Sequence, residues 1–177
     1  MFFREDRSFR LIEWLETVIA FGAEKVFMFV YKVHPNVWKA LQYYVEIGQL
    51  EISLITLPGN QINSDPENKG FYESGLKITS VVINEVVLHN DCLHKNAKRY
   101  EYLAVIDIDE IIVPRKASTW QEMMEHSPKG YASYSFRHSY FLDGSQDRTG
   151  ADEAPPYFHM MNSMMRNTHH GSTSAMG

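Results

Sequence analysis

An apolar segment that ends in three carboxylates is the strongest constraint on the fold of this 177-residue chain. Residues 102–106 read YLAVI, and Asp107, Asp109 and Glu110 follow almost directly. A short, fully apolar run of this kind is typical of a strand buried in a parallel sheet. Because burying an unpaired carboxylate is very costly, the three acids indicate the open end of that strand rather than its buried part.

The position of these acids predicts a ligand site. Ligands of open α/β sheets bind beyond the carboxyl ends of the strands. Side chains two residues apart in a strand share a face, so we expect Asp107 and Asp109 to reach one hard cation together. A divalent ion held there would bridge a diphosphate and stabilise its departure as a leaving group. The alternative is a strand end with solvated acids next to the turn at Pro114.

Helical and strand patterns alternate along the rest of the chain. Apolar spacing predicts helices over 9–22, 36–47, 71–96 and 118–126, the last opened by a capping box, and strands over 25–31, 50–57, 102–106 and 131–141. The expected apolar positions of the first helix are Leu11, Ile12, Leu15, Val18 and Ile19. This order predicts an α/β fold with one mostly parallel sheet, strand 102–106 at its centre and helices on its faces.

Composition excludes several classes of protein. The chain carries 17 basic and 22 acidic residues, a net charge of −5, and has no basic run, so we do not expect it to bind nucleic acid. No apolar stretch approaches the roughly 18–20 residues of a membrane span. A single cysteine, Cys92, excludes an internal disulfide framework. With 44% hydrophobic and 22% charged residues, the composition is typical of a soluble globular domain.

Several motifs, in the same order along the chain, give it a family resemblance over about residues 8–142. They are Glu13-Trp14 in the first helix, the Gly22 turn, the strand VFMFVY, the helix end at Gly48, the segment Asn90-Asp91-Cys92-Leu93, the run Asp107-Ile108-Asp109-Glu110 and the aromatic segment 131–141. Together they resemble glycosyltransferase family 92, whose members have a nucleotide-sugar-binding fold of the GT-A type. The resemblance implies an inverting galactosyltransferase that uses UDP-galactose and acts on a glycan or glycoprotein.

The resemblance also implies roles for particular residues. Asp107 and Asp109 would be the motif that holds Mn²⁺ or Mg²⁺ against the diphosphate of the UDP-sugar. Glu110 would position that motif or contact the sugar, so Asp109 and Glu110 are the candidate catalytic residues.

Three further residues are weaker candidates for substrate binding. Asn90 and Asp91 would lie along the donor cleft and hydrogen-bond a ribose or sugar hydroxyl, unless they only make local bonds near their helix end. His138 would face the acceptor, unless it is a structural histidine of its strand.

The chain also departs from the family pattern. No strand is predicted before the first helix, and the pattern becomes irregular after Asp143. We therefore interpret residues 1–158 as a partial, incomplete catalytic domain and 159–177 as an irregular or flexible tail. Family members are Golgi membrane proteins with a lumenal catalytic domain, so membrane attachment is expected only through a segment absent from this chain.

Two alternatives to an active galactosyltransferase follow. The chain is an inactive fragment or relative that keeps the core of the fold, or it is a different metal-dependent enzyme of phosphoryl or nucleotidyl transfer. The second alternative has no P-loop or other glycine-rich phosphate cradle in its favour.

Overall fold

The computed structural model describes residues 2–3, 5–55 and 76–137, with the side chains of 5–55 and 86–137. These residues fall into two compact units. The first unit contains the residues up to Asp6 and the stretch Lys25–Asp107. The second contains Arg7–Glu24 and the residues from Ile108 onward.

The first unit is built around parallel strand pairs. Its strands are β1 (Phe2–Phe3), β2 (Val26–Val30), β3 (Lys32–Val33) and β4 (Leu50–Leu54). β2 pairs with β4 in a register that runs from Val26 opposite Leu50 to Val30 opposite Leu54, and β1 pairs with β3. Because β2 and β3 are separated only by Tyr31, the extended segment 26–33 supplies a partner to both other strands.

Helix α2 (Pro35–Glu46) connects β3 to β4 and completes a strand–helix–strand crossover. Its apolar stripe, Val37, Leu41 and Tyr44, has at most 2% of its surface exposed. Alternate residues of β2, namely Val26, Met28 and Val30, are buried as well. A strand buries every second residue and a helix buries one residue in every three or four when the two pack against each other, and β2 and α2 show these two spacings.

Helix α3 (Leu76–Asn96) is the longest described helix, and a cluster around Arg99 follows its end. The Arg99 guanidinium donates to Asn96 Oδ1 at 3.0 Å and lies 5.8 Å from the ring centre of Phe27 and 5.6 Å from that of Tyr100. The Phe27 and Tyr100 rings meet edge to face at 5.7 Å. These contacts tie the end of α3 to strand β2.

The second unit contains α1 (Ser8–Ala20) and α4 (Trp120–Glu125). Leu11, Trp14, Leu15 and Val18 form the buried stripe of α1. Helix α4 begins with a close variant of the predicted capping box: Glu122 N–H donates to Oγ1 of the N-cap Thr119 at 3.2 Å, and Glu122 Oε2 accepts from N–H of Ser118, the residue before the N-cap, at 2.7 Å.

The structure confirms the α/β class and most of the predicted elements. Strands within 25–31 and 50–57 and helices within 9–22, 36–47, 71–96 and 118–126 are present with boundaries shifted by a few residues. The parts of the predicted elements at 56–57 and 71–75 lie outside the described residues.

The predicted central strand at 102–106 is wrong. These residues pair with no other strand of the described chain, and the Val105 side chain is 63% exposed. A strand exists only where a neighbouring backbone completes its ladder of hydrogen bonds, and apolar composition alone does not supply that neighbour. Among the described residues the strands form two parallel pairs, β1 with β3 and β2 with β4, and residues 102–106 belong to neither pair.

The predicted strand at 131–141 is also wrong over the residues that are described, 131–137. Tyr134 Oη donates to the Pro128 carbonyl at 2.7 Å, and the Tyr131 and Tyr134 rings meet edge to face at 6.2 Å. These local contacts close a loop, because an extended strand would separate residues three positions apart by about 10 Å. Residues 138–141 lie outside the described residues.

The expected absence of a strand before the first helix is corrected too. Phe2–Phe3 forms β1 and pairs in parallel with Lys32–Val33. Two residues are too few to show a hydrophobic period, so the sequence pattern could not reveal this strand. None of the described helices is long and apolar enough to cross a membrane.

Candidate functional site

The acidic segment is a turn followed by an extended, anchored backbone. Asp107 and Asp109 are exposed, Glu110 is half-buried, and Ile108 and Asp109 form a turn. Asp107 and Asp109 therefore do not share the face of a strand, as was predicted, because period-two alternation holds only in extended backbone. The turn does leave the Asp109 carboxylate open to solvent, where it can meet a ligand.

Two tryptophan side chains of the second unit hold the backbone that follows this turn. The Trp14 indole N–H donates to the Glu110 carbonyl at 2.8 Å, and the Trp120 indole N–H donates to the Ile112 carbonyl at 2.7 Å. Trp14 is only 4% exposed. Carbonyls of alternate residues are thus fixed by donors from two separate helices.

Helix α4 is itself attached to the end of α1. Trp120 N–H donates to the Phe21 carbonyl at 2.8 Å, and Gln121 Nε2 donates to the Gly22 carbonyl. The Phe21 and Trp120 rings lie 6.4 Å apart. The indole of Trp120 therefore acts from an element that is held by three contacts.

The sequence pattern assigned no role to Trp120, and it offered Gln121 only as an alternative to Glu122 in the capping box, a place that Glu122 takes. The only signal in the sequence was indirect: the indole N–H of a largely buried tryptophan normally finds a hydrogen-bond partner, but the sequence does not say which one.

The donor set of the acidic segment fits a hard cation in its chemistry. Carboxylate oxygens are the ligands that Mg²⁺ and Mn²⁺ prefer, and one or two carboxylates together with substrate phosphates are a common arrangement. Within the described residues, no group of three or more acidic, histidine or cysteine side chains comes together as a metal cluster. The exposed carboxylates of Asp107 and Asp109 are donors of this kind.

Asn90 and Asp91 both make contacts within α3. Asn90 Nδ2 donates to the Val86 carbonyl at 2.8 Å, and Lys95 Nζ donates to Asp91 Oδ2 at 2.6 Å. These are the local bonds that formed the alternative to a role in donor binding. Nothing in them prevents the exposed Asn90 side chain from using its carbonyl oxygen elsewhere. His138 lies outside the described residues.

Comparison with known proteins identifies the class of this protein. A family model described as glycosyltransferase family 92 matches residues 1–174, which is nearly the whole chain. The match defines a glycosyltransferase, a protein that moves a sugar from a donor to an acceptor glycan. The chain belongs to glycosyltransferase family 92, as its motifs predicted. No curated protein and no solved structure matched the chain in the corresponding comparisons.

Proposed function

We propose that this protein transfers galactose from UDP-galactose to a glycan or glycoprotein acceptor, with inversion at the transferred carbon and with Mn²⁺ or Mg²⁺ as cofactor. The observation that carries the proposal is the acidic run Asp107-Ile108-Asp109-Glu110 in a chain of this family, with Asp109 exposed at a turn whose following backbone is anchored by two indoles. The proposal includes a sheet of the GT-A type and a location in the lumen of the Golgi, as family membership implies.

In the proposal, the residues of this run have two different roles, cation binding and contact with the sugar. Asp107 and Asp109 bind the cation, which when bound neutralises charge on the diphosphate as it leaves. Glu110 contacts the sugar or orients the two aspartates. Its carbonyl is already committed to Trp14, so its backbone does not need to be ordered when the donor binds.

Substrate contacts outside the run are assigned in the same proposal. Asn90 and Asp91 hydrogen-bond a hydroxyl of the ribose or of the sugar, and His138 faces the acceptor. For Asp91 this role requires release of Lys95, because the two side chains are paired at 2.6 Å. Exposed ion pairs of this kind contribute little to stability, so their exchange for a ligand hydroxyl is cheap.

Titration of the full chain with Mn²⁺ and UDP tests the proposal. The parent protein should bind UDP only when Mn²⁺ is present, which calorimetry measures directly. Asp109→Asn should lose this binding, because an amide is a much poorer ligand for a hard cation than a carboxylate. Its free energy of unfolding should stay within about 1 kcal/mol of the parent, since Asp109 is exposed.

Glu46→Gln is the matched control, because it removes one exposed carboxylate from the end of α2 and should leave binding unchanged. Mn²⁺ binding without any effect of UDP would favour phosphoryl or nucleotidyl transfer. Binding of neither would favour a relative that keeps the fold without catalysis. If the parent binds both, NMR of the product formed from UDP-galactose and an acceptor glycan gives the anomeric outcome.

A further inference from the structure

We infer that Trp14 and Trp120 are positioning residues for the acidic run, an inference that rests on the proposed function. Each donates its indole N–H to the backbone just after Asp109: Trp14 to the Glu110 carbonyl at 2.8 Å and Trp120 to the Ile112 carbonyl at 2.7 Å. Neither indole touches a substrate in this role. They act through the conformation of the backbone that carries the carboxylates.

The two bonds fix peptide planes and not only single atoms. A peptide unit is rigid, so holding the Glu110 carbonyl fixes the plane between Glu110 and Ile111, and holding the Ile112 carbonyl fixes the plane between Ile112 and Val113. The rotations that remain between Asp109 and the first fixed plane are few. The backbone that follows the turn at Ile108–Asp109 therefore has a fixed orientation.

The donors are well placed for this task because they are rigid themselves. Trp14 is 4% exposed and lies in the same buried stripe of α1 as Leu11, Leu15 and Val18. Trp120 follows its N-cap Thr119 and is held by its own backbone N–H, which donates to Phe21 at 2.8 Å. An indole N–H is a donor only, so neither side chain can exchange this bond for one in which it accepts.

The consequence for binding is a lower cost of ordering. Asp107, Asp109 and Glu110 bear like charges within four residues, and their repulsion favours a spread of backbone conformations in the absence of a cation. A backbone that is already fixed loses less conformational freedom when a cation and a diphosphate bind. Loss of either indole N–H should therefore weaken the binding of Mn²⁺ and UDP without removing any ligand atom.

Three phenylalanine substitutions in the full chain test this inference. Trp14→Phe and Trp120→Phe each remove one N–H, and we expect the dissociation constant for UDP in saturating Mn²⁺ to rise by roughly five- to tenfold, the effect of one net hydrogen bond. Trp38→Phe is the matched control. It makes the same chemical change in α2, and in the described part of the chain its indole N–H has no hydrogen bond, so the constant should not change.

A second replacement separates the hydrogen bond from packing. The 3-benzothienyl analogue of tryptophan, introduced at position 14 or 120, keeps the bicyclic shape and replaces the N–H by sulfur. It should restore the part of the thermal stability that packing of the larger ring supplies, while leaving the dissociation constant raised. If Trp14→Phe does not fold, the dissociation constant is measured on the protein with the analogue at position 14.

The outcomes distinguish this inference from the proposed function. Parent-like binding of Mn²⁺ and UDP by the benzothienyl proteins would overturn the positioning role alone. Absence of such binding in the parent would overturn the proposed function. Hydrogen exchange of the backbone amides of 104–114 tests the inference without metal. Exchange should be faster in the proteins with the benzothienyl analogue at either position than in the parent or in Trp38→Phe. Equal exchange rates would contradict the inference.

Discussion

Asn96, the last residue of α3, shows how one buried polar side chain can close a helix. It is 3% exposed, its Nδ2 donates to the Cys92 carbonyl at 2.9 Å, and its Oδ1 accepts from Arg99 at 3.0 Å. Its own carbonyl accepts the backbone N–H groups of Arg99 and Tyr100. A buried amide is stable only when both its donor and its acceptor are used, as they are here.

Asn96→Ala should lower the free energy of unfolding by about 1–3 kcal/mol, because it removes two hydrogen bonds made by a buried amide, one to the Cys92 carbonyl and one from Arg99. Asn90→Ala is the matched control in the same helix. Asn90 makes the same bond to the carbonyl four residues earlier, at 2.8 Å, but is exposed. Its loss should change stability by less than about 0.5 kcal/mol. Urea unfolding measures both, and equal effects would show that burial of Asn96 is unimportant.

At the scale of elements, helices α1 and α2 end in the same way. Gly22 and Gly48 have φ of +100° and +80°, and in each case two backbone N–H groups return to the last turn. Gly22 N–H donates to the Ile19 carbonyl and Ala23 N–H to that of Val18. This Schellman arrangement satisfies carbonyls that a helix end otherwise leaves open. Both glycines lie at or next to the end of a predicted helix, and the conformation they supply is a local requirement.

The two glycines differ in what surrounds them, and this difference predicts unequal effects of alanine. A Cβ at Gly48 meets open space, so Gly48→Ala should cost only the left-handed backbone strain, about 1–2 kcal/mol. A Cβ at Gly22 would overlap the Gln121 side chain, which must then give up its bond to the Gly22 carbonyl. Gly22→Ala should therefore cost about 1 kcal/mol more. Thermal unfolding of the two variants checks this, and a larger loss for Gly48→Ala would refute it.

On the scale of the whole molecule, charge limits the partners of this protein. The chain carries a net charge of −5 and no basic run, and duplex DNA or RNA presents a dense row of phosphates. We expect no binding to a duplex at low salt by fluorescence anisotropy. Salt-sensitive binding below micromolar concentration would contradict this expectation, since counterion release requires a cluster of Lys or Arg.

The sequence by itself determined the elements whose signals are local. The period of apolar residues located α1 and α2. The buried stripe of α1 nevertheless includes Trp14 and leaves Ile12 36% exposed, because the buried face of a helix is too narrow to hold all the apolar positions that were predicted. A dense run of β-branched and aromatic residues located β2, and the motif order identified the family. Each of these signals is contained in a short window of residues or in the order of motifs.

Only the tertiary structure decided which segments pair and what holds the acidic run. YLAVI has the composition of a central strand, yet segment 26–33 holds the strand partners in the described chain. The anchor of Glu110 is Trp14, 96 residues away in the sequence, and that of Ile112 is Trp120. A strand needs a neighbouring backbone and an indole N–H needs an acceptor, and the fold alone brings such partners together.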